Sequence, residues 1–210
     1  MKPRQARLME TLLPQVAVTP ETVAARIAEH DGPVWLEVGF GGGEHLAWQA
    51  ERHPGALMIG AEPFLNGAAK MLGFIDEQGL ANVAVCHGDA RLLMAAMPGG
   101  CLGRAFVLHP DPWPKRKHFK RRIVSQAFLS EMHRLMKAGT ELRVASDIPD
   151  YVRWTLMQVQ IANRAAVRWA WRAERADDWR VRPEDWPETR YEAKGIREGR
   201  ADAYLSFTRV

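Results

Sequence analysis

Short apolar runs recur along this chain, each followed by turn residues and then by a stretch of helical period. Pro33-Val34-Trp35-Leu36-Glu37-Val38 leads into a glycine-rich turn and predicts a buried strand. Residues 57–62, 82–86, 105–108 and 141–145 repeat that apolar pattern. Helical residues are expected over 19–30, where Thr19 precedes Pro20 at the first helical position, and again from about Glu44. Further helices are predicted over 64–78, over 124–137 with Gly139 closing it, and over 151–163. Strands alternating with helices of this length imply a mostly parallel sheet covered on both faces, because parallel neighbours need crossover connections. The two final apolar runs, 167–171 and 203–207, have no helical run between them and predict an antiparallel pair. Residues 174–190 read as a long polar loop, too charged for a core despite Trp179 and Trp186.

Residues 1–18 are expected to form a loosely ordered basic arm, and residues 19–210 a single domain. A chain of 210 residues supports one substantial core, and its hydrophobic fraction of 47% with 26% charged residues is that of an ordinary globular protein. No apolar run reaches membrane length and none at the N-terminus suits export, so a cytoplasmic location is expected. Cys86 and Cys101 are too few for a tetrahedral thiolate site and read as small core residues, so neither disulfide nor metal is expected. The net charge of +4 is concentrated: Lys115, Arg116, Lys117, Lys120, Arg121 and Arg122 supply six positive charges, and 4 − 6 = −2 for the remainder. Such a run is a solvated face unless its neighbours argue otherwise.

Its neighbours do. The turn Glu37-Val38-Gly39-Phe40-Gly41-Gly42-Gly43-Glu44 lies between a predicted strand and helix, where glycines let the backbone approach a ligand. A dinucleotide fingerprint would need glycine at 44, and Glu44 would set an anion beside any phosphate, so a phosphate-free ligand such as S-adenosylmethionine fits better. Glu62 ends the second strand, where a ribose-binding acid belongs, and Asp89 follows the third, where it could accept from an adenine amino group. After the fourth strand, His109-Pro110-Asp111-Pro112-Trp113-Pro114 runs directly into the basic residues. The prolines would hold Asp111 and Trp113 rigidly over the site. Trp113 reads equally well as a packing residue. The Asp111 carboxylate suits the two donors on the Watson–Crick edge of guanine, and the cations beyond it suit phosphates.

The string from Phe106 to Arg122, with its Pro-Asp-Pro-Trp centre, resembles the bacterial tRNA (guanine-N7)-methyltransferase family. The likeness extends through Glu37 to Gly41, Gly60-Ala61-Glu62, His87-Gly88-Asp89-Ala90, Ala145-Ser146-Asp147 with Tyr151, and Thr189 to Gly195. It implies a Rossmann-like class I methyltransferase fold and transfer of a methyl group from S-adenosylmethionine to N7 of guanosine 46 in the tRNA variable loop. By position, the resemblance implies that Glu37, Gly39, Gly41, Glu62, Asp89 and Asp111 surround the cofactor and that Asp111 is catalytic. Lys115, Asp147, Thr189, Arg190, Tyr191 and Glu192 would face the substrate, and Lys120, Arg121 and Arg122 would contact tRNA phosphates, with tRNA the partner and no obligate protein partner. His109, Ser146 and Pro63 depart from the residues usual at those places. Two other readings stay open: an amino-group methyltransferase acting on DNA or protein, and an RNA-binding module without turnover.

Overall fold

The computed structural model of the chain describes residues 2–210, apart from the side chain of Tyr191. Seven strands, β1 (Val34–Val38), β2 (Leu57–Ala61), β3 (Val83–Cys86), β4 (Leu102–Leu108), β5 (Met136–Ser146), β6 (Trp169–Trp171) and β7 (Ala203–Arg209), form one sheet in the order β3-β2-β1-β4-β5-β7-β6. β1 to β5 run parallel, and β7 is antiparallel to both β5 and β6, as the final apolar runs predict. Alternate residues of the central strands go to opposite faces. Leu36, Ile59, Ala84 and Val107 join one buried cluster, while Trp35, Met58, Val85 and Phe106 join the other. Both faces are therefore covered, which explains why these strands read as continuous apolar runs.

Several elements differ from the sequence expectation, each for a local reason. Residues 3–16 are not a loose arm but two short helices, α1 (Pro3–Thr11) and α2 (Leu13–Val16). Leu8 is buried, and Leu12, Leu13 and Val16 lean on the same cluster at helical spacing. The Arg4 guanidinium reaches Asp76, at 2.6 Å, and Glu77. Val18 N–H then donates to Val85 O at 3.0 Å, so this segment covers the otherwise open edge of β3. The next helix, α3 (Val23–Ala28), starts late because residues 19–22 form a turn in which Thr19 N–H donates to Thr22 Oγ1. α4 (Glu44–Arg52) and α5 (Leu65–Gln78) lie close to where the pattern puts them.

The helix α6 (Ala90–Ala96) goes unpredicted; it is too short to show a period, and Asp89 caps it through Arg91 N–H at 2.9 Å. α7 (Gln126–Leu135) stops before Gly139, because Met136 already pairs with Leu102 of β4. α8 (Pro149–Ala162) follows β5. The segment expected as a polar loop contains α9 (Asp177–Arg180) and, straddling its end, α10 (Arg190–Arg197). Trp186 is buried, contrary to the polar-loop expectation, with its ring 5.4 Å from Tyr204 and 6.0 Å from His45. No helix among the described residues is long and apolar enough to cross a membrane.

Candidate active site

The strand order turns outward in both directions from β1 and β4, so the chain after each leaves on opposite sides and opens a crevice at their carboxyl ends. A cavity of about 1080 Å³ occupies that crevice. Gly39, Gly41, Glu62, Asp89, Asp111 and Arg190 all contribute to its wall, together with Lys120, Arg121 and Arg122. Ligand pockets measure about 300–1000 Å³, so this one lies at the upper end of that range.

Gly39 and Gly41 have φ of +72° and +56°, which explains why glycine is needed there. Glu62 holds the turn in place: Gly41 N–H donates to its Oε2 at 2.8 Å and Phe64 N–H to its Oε1 at 2.9 Å. The start of α5 sits directly beneath, since a Cβ on Gly67 would lie 2.3 Å from Gly41 O. Glu62 is buried yet lines the cavity, so the carboxylate lone pairs not used by the turn are turned toward the cavity. Asp89 is half-exposed at the rim and divides its carboxylate between capping α6 and pairing with Arg91 at 3.4 Å.

Asp111 is exposed and makes no hydrogen bond or ion pair among the described residues. Its segment is bracketed by the two non-glycine residues with positive φ among those described, His109 at +48° and Trp113 at +42°. Such backbones cost of order 1–3 kcal/mol each and persist where surrounding contacts enforce them. The enforcing contact here is Arg122, whose Nε donates to Pro112 O at 2.8 Å and whose guanidinium pairs with Asp150 at 2.5 Å. Its side chain is 1% exposed and lies over Phe119, with Trp154 and Tyr151 beside it. The burial does not fit the expectation that Arg122 is an outward phosphate contact: its Nε and Nη2 are turned inward, and it clamps the Asp111 segment. Lys120 and Arg121 remain exposed, Arg121 with its guanidinium 4.7 Å over the Trp113 ring.

A family model described as "Putative methyltransferase" matches residues 31–204. The tRNA (guanine-N(7)-)-methyltransferase of Ruegeria sp. (strain TM1040) is 46% identical over 220 residues, covering 100% of this chain and 84% of that protein. Its counterpart from Rhodospirillum rubrum is 47% identical, with the same coverage. The chain belongs to the tRNA (guanine-N7)-methyltransferase family. Among solved structures, the 16S rRNA methyltransferase KamB superimposes with a TM-score of 0.63 at 18% identity, covering 89% of this chain and 91% of that one. A 16S rRNA (adenine(1408)-N(1))-methyltransferase mutant from Catenulisporales acidiphilia, with cosubstrate SAM, gives 0.57 at 18% identity and 92% coverage of both. These two likenesses establish the Rossmann-like methyltransferase fold.

Within this methyltransferase fold, not every residue singled out by sequence reaches the main cavity. Glu37 does not line it; it is buried in the wall of a small adjoining cavity, 2.7 Å from His45 Nδ1. Gln49 Nε2 lies 3.1 Å from His45 Nε2 and also donates to Asp185 O, so a consistent network has His45 Nδ1–H donating to Glu37. Thr189 lines the same small cavity as the cap of α10, in a capping box with Glu192. Glu192 is buried, accepting from Tyr204 Oη and Arg182, and these contacts anchor α10. That anchoring turns Arg190 to the main cavity, 3.4 Å from Glu44. Asp147 pairs with Arg200 at 2.6 Å behind the cavity, and Lys115 is exposed beyond its lining. The expected role of Tyr191 rests on a side chain outside the described residues. Sequence reasoning missed His45, whose signal is its place in the first turn of the helix that follows Glu37, and the inward turn of Arg122, for which a cationic run gives no signal.

Proposed function

We propose that the chain transfers the methyl group of S-adenosylmethionine to N7 of guanosine 46 in the tRNA variable loop. Membership of the tRNA (guanine-N7)-methyltransferase family supports the enzyme class and the nucleotide, and the cavity's chemistry supports the roles given below. The carrying observation is the placement of Asp111, on its clamped segment, across one cavity from the glycine turn and Glu62.

The residues fit the donor. Glu44 stands in the first turn of α4, where a phosphate would otherwise be drawn, while the carboxylates of Glu62 and Asp89 suit the hydroxyls and amino group of adenosine. S-adenosylmethionine supplies an electrophilic methyl on its sulfonium. Glu62 accepts from the ribose hydroxyls, and Asp89 from the adenine amino group. Asp111 accepts from the donor edge of guanine and opposes the positive charge that develops on the base. N7 carries a lone pair at neutral pH, so no side chain removes a proton, and catalysis comes from alignment of the two reactants. Lys120 and Arg121 hold phosphates at the mouth. The cytoplasm is the proposed compartment, with no obligate protein partner.

The test is incubation with methyl-labelled S-adenosylmethionine and bulk tRNA, followed by mass spectrometry of the nuclease digest. The expected product is 7-methylguanosine, absent when position 46 is changed to adenosine. In parallel incubations with DNA or with protein in place of tRNA, label on an exocyclic amino group of the DNA or on the protein would favour the amino-group reading, and no label on any of the three the binding-module reading.

A further inference from the structure

Beside the main cavity, three strands that are neighbours in the sheet bring their ends together. His109 follows β4 directly, Asp147 follows β5 directly, and Asp202 directly precedes the antiparallel β7. The pairing of Ser146 with Ala203, and the hydrogen bond from His109 N–H to Ala145 O at 2.9 Å, fix all three backbones at one edge. Their side chains converge. His109 Nδ1 is 3.5 Å from Asp202 Oδ1 and 4.0 Å from Asp147 Oδ1, and one donor atom from each residue lies within 4.8 Å of the others.

The cluster is closed to solvent and short of partners. The side chains of His109, Asp147 and Asp202 are 8%, 12% and 3% exposed. Neither His109 Nδ1 nor either carboxylate oxygen of Asp202 has a hydrogen-bond partner among the described residues. Buried polar atoms almost always find partners, and three orphans on two neighbouring side chains need an account. Arg200 takes only Asp147 Oδ2, leaving Oδ1 turned toward His109. Glu192, close enough to raise the Asp202 pKa, adds further negative charge, part of which Arg182 offsets.

We propose that His109 Nδ1, Asp147 Oδ1 and Asp202 bind one divalent first-row transition cation, of the zinc class, that staples the ends of β4, β5 and β7. One imidazole with two carboxylates is a donor set that suits zinc or its neighbours, whereas magnesium and calcium favour oxygen alone. Tetrahedral ligands about 2.1 Å from a zinc ion lie about 3.4 Å apart, close to the His109–Asp202 separation, and small side-chain rotations close the rest. A lone proton on Asp202 satisfies fewer of the orphaned atoms than a cation does. The sequence expectation of no metal considered cysteines, and these ligands, spread over more than ninety positions of the chain, share no spacing motif.

The site is structural. His109 is joined through Pro110 to Asp111, and Asp147 abuts α10, where a Cβ on Gly195 would come within 2.8 Å of Asp147 Oδ2. A bound cation therefore ties the Asp111 segment to the helix that carries Arg190. The test takes the whole chain, stripped with a chelator, and titrates it with zinc chloride against a chromophoric competitor. The expected result is one equivalent bound, with a midpoint of thermal unfolding raised by about 5–10 °C at a hundredfold excess over Kd and no rise with magnesium. Asp202→Asn and His109→Phe, each checked for folding by circular dichroism, should each weaken binding at least tenfold and lose the thermal rise, while Cys101→Ser should change neither. X-ray absorption should show nitrogen and oxygen neighbours only. The proposal is overturned by absence of a one-to-one site, by wild-type affinity in the folded variant or variants, or by sulfur in the coordination shell. None of these readouts depends on methyl transfer, so the activity of the neighbouring cavity is tested separately.

Discussion

Asp111 owes its position to backbone that few residues adopt, with His109 and Trp113 at positive φ on either side and Pro110 and Pro112 fixing the bonds between. Asp111→Asn leaves that geometry alone but replaces an anion by an amide that presents donors to the donor edge of guanine. The single-turnover rate at saturating S-adenosylmethionine and tRNA should fall by about 10²–10³-fold, the usual cost of one lost electrostatic contact in a transition state. Rapid-quench measurement decides it, and near-normal turnover would leave Asp111 a purely structural role. Wild-type turnover should show no base-like limb near neutrality, because N7 has no proton to remove. Glu62 differs, since it both holds the glycine turn and is proposed to meet the ribose. Glu62→Gln should weaken calorimetric S-adenosylmethionine binding by about 10-fold or more, because charge-assisted hydrogen bonds contribute about 1.5–3 kcal/mol each. Unchanged affinity would remove Glu62 from the ligand contacts. That Asp111, Glu62 and Asp89 line one cavity was legible in the sequence because each stands just beyond a strand whose apolar pattern is plain. Glu37 was legible as a special residue but not as the partner of His45, since that contact depends on which way the helix after the turn rotates.

At the level of elements, the basic segment separates into two functions that its composition conceals. Arg116–Arg121 is a 3-10 turn with its cations on the outside, whereas Arg122 turns inward to hold Pro112 and Asp150 among aromatic rings. A charge run states how many cations there are, and burial decides which of them meet solvent. Asp111 follows β4, so anything that lets its segment relax displaces the carboxylate from its proposed contact with the base, and misplacement of about 1 Å can cost about 100-fold in rate. Arg122→Lys should therefore lower kcat by up to about 100-fold while leaving the KM for tRNA and the S-adenosylmethionine affinity close to wild type. Lysine keeps the charge but cannot make the forked contact to two partners. A rise in KM with kcat intact would instead return Arg122 to phosphate binding. The helix α10 follows the same logic: its capping-box residues Thr189 and Glu192 looked like ligand contacts, but they were recognisable only as a pattern, and the pattern specifies the helix start that aims Arg190.

Across the whole molecule, one topological fact sets the site: outward winding from β1 and β4 leaves a crevice, and the glycine turn and the Asp111 segment are the two connections that leave it. The alternation of strands and helices made that much readable in advance. The order of the last three strands, and hence the meeting of His109, Asp147 and Asp202, was not readable, because it depends on pairings across residues 147–202 with no local signal. The charge distribution follows the same division, with the basic turn projecting at the cavity mouth from a body whose remaining residues sum to −2. An anionic polymer should accordingly be drawn to that mouth and held there by release of its counterions, so tRNA affinity should fall steeply with salt. In a filter-binding titration from about 50 to 200 mM salt, replacing Lys120 and Arg121 by alanine should flatten the logarithmic salt slope by up to about 0.9 per lost duplex phosphate contact. Arg122→Lys, by contrast, should leave the slope unchanged, since its guanidinium faces Pro112 and Asp150 and not solvent. Equal slopes for the wild type and the Lys120/Arg121 variant would make the outer cations an ordinary solvated surface, and a flattened slope for Arg122→Lys would overturn the division of the basic segment into a clamp and a phosphate face.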